Sequence, residues 1–187
     1  MIIDLTTKIN HELINAWLDT QENKRIATGH VGTHLDTYQK SNIPLEYFER
    51  TGVLFDVSEI ESERDIAISD IEHIKIPENS FVLFRTKQIE KYEYGTKEYF
   101  HDHPQLSHDL IDYLINKKIS FIGIDCSGIR RGDEHTPADI RCEENGIYVI
   151  ENLCNLQNLS NAPFTVYTMW LDDEVATGLK CRVIVKQ

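Results

Sequence analysis

Two imidazoles and a carboxylate fall within seven residues at His30, His34 and Asp36, in the run Gly29-His30-Val31-Gly32-Thr33-His34-Leu35-Asp36. If residues 31–36 run extended, His34 and Asp36 are two apart and point to the same side of the strand. Gly29 and Gly32 let the backbone bend, so His30 can fold back toward them. Two neutral nitrogens and one charged oxygen converging in this way suit a divalent cation, zinc or manganese, and Asp36 alone could bridge two. The competing reading is a surface turn with two solvated histidines, since a short motif is only a hypothesis.

The elements that must position these residues can be read along the chain. Strands are expected over residues 1–8, 53–57, 80–86, 119–124, 147–150, 164–170 and 179–185, where apolar residues alternate or run together. Residues 11–17 suit a short helix, and Ile43-Pro44-Leu45-Glu46-Tyr47-Phe48 a helical turn with proline near its start. Ser69 and Glu72 have capping-box spacing. Ser107 caps a helix with Leu110, Ile111, Leu114 and Ile115 on one face, ending at Lys117-Lys118. Residues 87–100 lack a clear period and read as a surface excursion. Residues 126–138 read as loop, and 139–145 as a short helix closed by Gly146. Strands outnumber helices and helices fall between some of them, which predicts a mixed α/β fold in one domain spanning 1–187.

Composition excludes several classes of function. A chain of 187 residues can bury one full core. Its 41% apolar and 27% charged residues are those of a soluble globular protein. A net charge of −12 argues against a nucleic-acid partner, which needs clustered Lys and Arg. No apolar run reaches the roughly 18–20 residues of a membrane helix. The N-terminus lacks the basic start and small-residue cleavage site of a signal peptide. Cys126, Cys142, Cys154 and Cys181 form no Cys-x-x-Cys pair, so a zinc knuckle is not expected, and a reducing cytoplasm fits.

The run His30-x-Gly32-Thr33-His34-x-Asp36 resembles the signature of the metal-dependent cyclase-like hydrolases, the family of bacterial kynurenine formamidase and isatin hydrolase. The family's fuller pattern continues with proline and histidine, where this chain has Tyr38 and Lys40. Further blocks fall in family order: Gly52-Val53-Leu54-Phe55-Asp56-Val57-Ser58, Phe81-Val82-Leu83-Phe84-Arg85-Thr86, Phe121-Ile122-Gly123-Ile124-Asp125-Cys126-Ser127 and Ile150-Glu151-Asn152-Leu153-Cys154-Asn155-Leu156. The resemblance implies a swivelling β/β/α fold assembled as homodimers or homotetramers. It also implies a first metal site at His30, His34 and Asp36, and a second that shares Asp36 and adds Glu151. The second site's histidine is expected twelve positions before Glu151, where this chain has Asp139. Aspartate there would favour a harder ion such as manganese or magnesium; the other reading of Asp139 is a helix N-cap. His135 is a rival ligand or a solvated loop histidine.

The implied activity is hydrolysis of a C–N bond in a small cyclic amide, lactam or formamide by metal-bound hydroxide. The cation lowers the pKa of bound water from about 15.7 to about 7 and polarises the carbonyl. Lys40 occupies the place of the family's proton-shuttling histidine. An ordinary lysine, pKa about 10.4, is no base at neutral pH. Burial beside a metal could make it one, or it could serve as a fixed charge, or it could point into water. His101 and His103 could ligate a metal or replace the shuttle, or lie in exposed loop before Pro104. Thr33 and Asn152 are expected to support the ligands by hydrogen bonds. Cys126 as a nucleophile would need a neighbouring base that the sequence does not supply. The alternative function is a family member that has lost catalysis and binds a small ligand or a metal.

Overall fold

The computed structural model describes residues 1–187. In chain order the elements are β1 (Ile2–Asp4), α1 (His11–Asp19), α2 (Lys24–Gly29), β2 (His34–Asp36), β3 (Glu49–Asp56), α3 (Ile68–Ile71), β4 (Phe81–Arg85) and α4 (Gln88–Lys91). They continue with α5 (Lys97–His101), α6 (His108–Asn116), β5 (Phe121–Ile124), α7 (His135–Glu144), β6 (Tyr148–Glu151), β7 (Phe164–Trp170) and β8 (Gly178–Lys186). The fold is mixed α/β, as the order of strand and helix patterns predicts.

The sheet closes because β8 is long. Its first residues pair with β2, its last with β1 on the same edge, and β7 runs along the opposite edge. The ring β8-β2-β6-β5-β4-β3-β7 then returns to β8, with β3, β4, β5 and β6 parallel to one another. Closure removes the exposed edges that an open sheet would leave.

The central strands are apolar on both faces because both faces are covered. Phe81, Leu83, Phe121, Tyr148, Ile150, Val183 and Val185 point inward and fill the barrel. Val82, Phe84, Ile122, Ile124 and Val149 point outward, against Leu110, Ile111 and Leu114 of α6 and Ala138 and Cys142 of α7. Helix α6 begins where Ser107 Oγ accepts from the Leu110 amide, as its spacing predicts. No helix is long and apolar enough to cross a membrane.

Three local expectations are corrected. The Ser69–Glu72 capping box does not form: Ser69 lies inside α3, and Asp70 caps it by accepting from the Ala67 amide at 2.7 Å. Residues 87–100 are not a bare surface excursion, for they hold α4 and α5 and bury Tyr94 and Tyr99 beside Ile14 and Val31. The aromatic residues that blurred the period are the ones that pack. Helix α7 starts at His135 rather than at Asp139.

Candidate metal centre

Three elements converge at one end of the barrel. Strand β2 presents His34 and Asp36, both buried, and pairs antiparallel with β6 so that His34 stands opposite Glu151. His30 caps the C-terminus of α2 and folds back between them. That return depends on two close approaches. Gly32 takes a φ of +78°, in the left-handed region that favours glycine. Gly29 lies so near β8 that a Cβ there would come within 2.3 Å of the Gly178 carbonyl oxygen. From the third element, α7, His135 and Asp139 face inward, four residues apart on one helix face.

The six side chains form two groups whose possible ligand atoms lie within 4.8 Å of one another. One is His30, His34 and Asp36; the other is Asp36, His135, Asp139 and Glu151. His30 Nδ1 and His34 Nε2 approach Asp36 Oδ1 at 3.1 and 3.4 Å. His34 Nε2 is 3.5 Å from Glu151 Oε2, and His135 Nε2 is 3.2 Å from both Glu151 Oε1 and Asp139 Oδ2. Asp139 sits within α7 and is no N-cap, and His135 is no solvated loop histidine. Their shared helix face was the signal available for His135, had the helix been started four residues earlier.

The imidazoles are turned with opposite nitrogens inward. His30 Nε2 pairs with Thr177 Oγ1 at 2.8 Å, which leaves Nδ1 facing the cluster. His34 Nδ1 donates to the Gly32 carbonyl at 2.9 Å, which turns Nε2 inward, 3.1 Å from His30 Nδ1. Thr33 and Asn152 mainly bond the backbone around the ligands rather than the ligand side chains: the Thr33 hydroxyl donates to the Asn152 carbonyl, and Asn152 Nδ2 to the Gly32 carbonyl. Tyr99, which sequence reading left without a role, donates its hydroxyl proton to Asn152 Oδ1 at 2.8 Å. Tyr99→Phe orphans that buried acceptor. It should cost roughly 1–3 kcal/mol in urea unfolding and about tenfold in metal affinity by calorimetry. An unchanged affinity would show that the Asn152 network does not orient the ligands.

The electrostatics are those of a site built for a cation. Asp36, Asp139 and Glu151 are 2%, 3% and 3% exposed. Both oxygens of Asp36, both of Asp139 and Oε1 of Glu151 receive no hydrogen bond, although imidazole nitrogens stand close by. Burial alone would lower His34 and His135. The negative charges of Asp36 and Glu151 outweigh it and raise His34 to about 9, while Glu151 and Asp139 raise His135 to about 10. Asp139 goes the other way: burial, and then the charge of Asp36, hold its carboxyl well above the usual range. Buried carboxylates are ordinarily well hydrogen-bonded; these three crowd together with only the imidazoles of His30, His34 and His135 as partners. A divalent cation meets the need that the protein leaves open, so the residues fit a metal.

Lys40 is not in the cluster. Its side chain is exposed, on a left-handed turn with φ 55°, and its charge acts on Asp173. Tyr38 faces inward instead. Its ring stacks on His30, and burial, followed by the charges of Asp36, Asp139 and Glu151, pushes its hydroxyl pKa upward. Glu143, also unforeseen, anchors the turn that carries both residues. Cys126 is buried, its thiol pushed up by burial and by Asp125, which suits a core residue and no nucleophile.

His101 is exposed, whereas His103 is 1% exposed and belongs to neither metal group. It lines a cleft of about 490 Å³ together with His135, Trp17, Phe100 and Arg131. Its Nδ1 donates to the Pro104 carbonyl at 2.9 Å, and Nε2 has no partner. Burial, assisted by the positive charge of Arg131, lowers its pKa to about 4. Between that value and the unfolded value of about 6.5, the unfolded chain binds a proton that the folded chain refuses. Stability from His103 is therefore complete above pH 6.5 and lost as pH falls toward 4. In urea melts, the advantage of the parent over His103→Gln should shrink across that window. A gap independent of pH would contradict the buried neutral ring.

Comparison with known proteins adds the family. The Cyclase family model matches residues 3–130 of this chain. The chain belongs to the cyclase family. Among solved structures, a potential metal-dependent hydrolase with cyclase activity superposes with a TM-score of 0.73 at 22% identity, over 99% of this chain and 96% of that one. Isatin hydrolase A from Labrenzia aggregata gives 0.77 at 20% identity, over 99% and 93%. A predicted metal-dependent hydrolase from Bacillus stearothermophilus gives 0.71 at 22% identity, over 99% and 97%. At these identities the likeness establishes the cyclase-like fold across the chain. A search of curated proteins finds no match.

Proposed function

We propose that this cyclase-family chain is a metal-dependent hydrolase that opens the C–N bond of a cyclic amide, lactam or formamide. One observation carries the reading: five oxygens of three buried carboxylates make no well-formed hydrogen bond, and the ring nitrogens of three histidines are gathered onto them. His30, His34 and Asp36 would hold one cation, and Asp36, His135, Asp139 and Glu151 a second. Zinc or manganese suits this mixture of nitrogen and oxygen, with the two aspartates weighting it toward manganese. Such a cation supplies an activated water and a polarised carbonyl. The protein's part is to fix the ligands' tautomers through Thr177 and Gly32, and to bury the site. His135 Nε2 stands 3.2 Å from both Glu151 and Asp139, so these carboxylates would hold its ring turned toward a cation.

The likeness to a potential metal-dependent hydrolase with cyclase activity and to isatin hydrolase A supports the choice of reaction, and isatin is the first substrate to try. Protein purified without chelator and reloaded with Zn²⁺ or Mn²⁺ should open isatin, as followed by loss of its visible absorbance, and EDTA should abolish the reaction. Bound metal without turnover of isatin or an N-formyl anilide would favour the alternative of a metal- or ligand-binding protein. The observation behind that alternative is Lys40, exposed where the family keeps its histidine. The same reading takes the substrate to be a small molecule, with no nucleic acid or membrane as partner. It takes the assembly to be a homodimer or homotetramer, which light scattering would read. It places the protein in the cytoplasm, in keeping with four free thiols.

A further inference from the structure

With Lys40 turned outward, the chain needs another group to meet a reacting carbonyl, and Tyr38 is placed for it. Its ring centroid lies 6.1 Å from that of His30, with the planes 29° apart. Its hydroxyl lies beside Thr136, the residue following His135. The ring thus reaches from the β2 side of the cluster to the α7 side, across the carboxylates. None of the five unpaired carboxylate oxygens accepts from it; its near partner is the Thr136 side chain, whose hydroxyl can donate to the phenol oxygen and leave the phenol proton for another acceptor. Tyr38 also remains partly exposed, within reach of an incoming molecule.

Its placement is enforced by Glu143, the next turn of α7 beyond Asp139. The Glu143 carboxylate, 3% exposed, accepts from the Thr37 hydroxyl at 2.8 Å, the Tyr38 amide at 2.6 Å and the Gln39 amide at 2.8 Å. It also accepts from the Ser41 amide at 3.1 Å and the Ser41 hydroxyl at 2.8 Å. A buried carboxylate given wholly to one turn fixes which of its side chains points in. Here that is Tyr38, and Lys40 is sent to solvent.

Resting on the hydrolase reading, we propose that the Tyr38 hydroxyl touches the substrate and donates a hydrogen bond to the carbonyl oxygen of the scissile C–N bond as that oxygen gains negative charge. Glu143 is the positioning residue that holds it there. No proton leaves the phenol; the hydrogen bond shortens as charge develops. Removing one such preorganised donor typically lowers kcat by about 10²–10³-fold.

The test uses an oxyanion that is never turned over. Benzoate is titrated by calorimetry into the zinc-loaded parent, Tyr38→Phe and Glu143→Gln. Tyr38→Phe should keep zinc affinity within threefold and bind benzoate at least tenfold more weakly. Glu143→Gln, which keeps the phenol in the chain but loosens its turn, should weaken benzoate at least threefold with zinc affinity retained. On isatin, Tyr38→Phe should lower kcat at least thirtyfold while KM moves less than threefold. Equal benzoate affinity in parent and Tyr38→Phe, or no benzoate binding by the parent, overturns the proposal. So does a tenfold loss of zinc affinity in Tyr38→Phe, which would make the phenol a ligand. A parent that binds zinc and benzoate yet leaves isatin intact refutes the proposed reaction, while the benzoate comparison still decides Tyr38. A parent that takes up no metal ends both.

Discussion

Asp36→Asn is expected to lower the affinity for Zn²⁺ or Mn²⁺ at least a thousandfold in calorimetric titration, while the metal-free protein still folds. Asp36 is the residue common to both ligand groups, and its only near partners are the imidazoles of His30 and His34. The amide keeps the shape of the side chain but removes the charge and half of the oxygen ligation. A ligand belonging to one group, such as His30, should cost less when removed, because the other group survives. Affinity in the parent should rise with pH, since His34 and His135 stand at about 9 and about 10 without metal. Each imidazole must give up its proton to bind a cation, so binding releases protons. A variant retaining affinity within tenfold of the parent would mean that Asp36 is not the shared ligand.

Asp139→Asn should reverse the order of stability between metal-free and metal-loaded protein. In the metal-free chain, burial and the charge of Asp36 hold the Asp139 carboxyl well above its unfolded value. A raised carboxyl pKa means that the folded state binds more protons than the unfolded one. Its effect on stability is therefore neutral at low pH and turns unfavourable as pH rises past the unfolded pKa of about 3.9. The amide has no such charge to bury. At neutral pH with EDTA, the variant should be more stable by roughly 1–3 kcal/mol, several degrees in Tm for a chain of this size. Zinc at a hundred times its Kd should stabilise the parent by about 2.7 kcal/mol and the variant by much less, so the order crosses. A parent more stable than the variant in EDTA would show that Asp139 is not strained without a cation.

The legibility of this site in the sequence divides by the range of the forces involved. That His34 and Asp36 share a side follows from the two-residue period of a strand, a local property. Strands β4 and β5 were readable as continuous apolar runs, which mark a strand covered on both faces. Helix α6 announced itself by Ser107 and an apolar stripe. Helix α7 was legible only from Asp139 onward, and its first turn at His135 was missed, because the face it turns inward is polar at His135, Asp139 and Glu143. Apolar periodicity cannot detect such a face; only its seat against the end of the barrel reveals that it is covered. Aromatic residues in 87–100 were likewise unreadable until Tyr94 and Tyr99 were seen packed over Ile14 and Val31.

By itself, then, the sequence determined the mixed α/β class, the family blocks and the local trio of His30, His34 and Asp36, all set by residue type and short spacing. Tertiary structure alone decided that Glu151 stands opposite His34, because that depends on the register of two strands distant in the chain. It also decided that His135 joins Asp139, and that Tyr38 rather than Lys40 faces the cluster. Those outcomes rest on a helix docking and on one buried carboxylate gathering a turn, interactions between segments that no local pattern encodes.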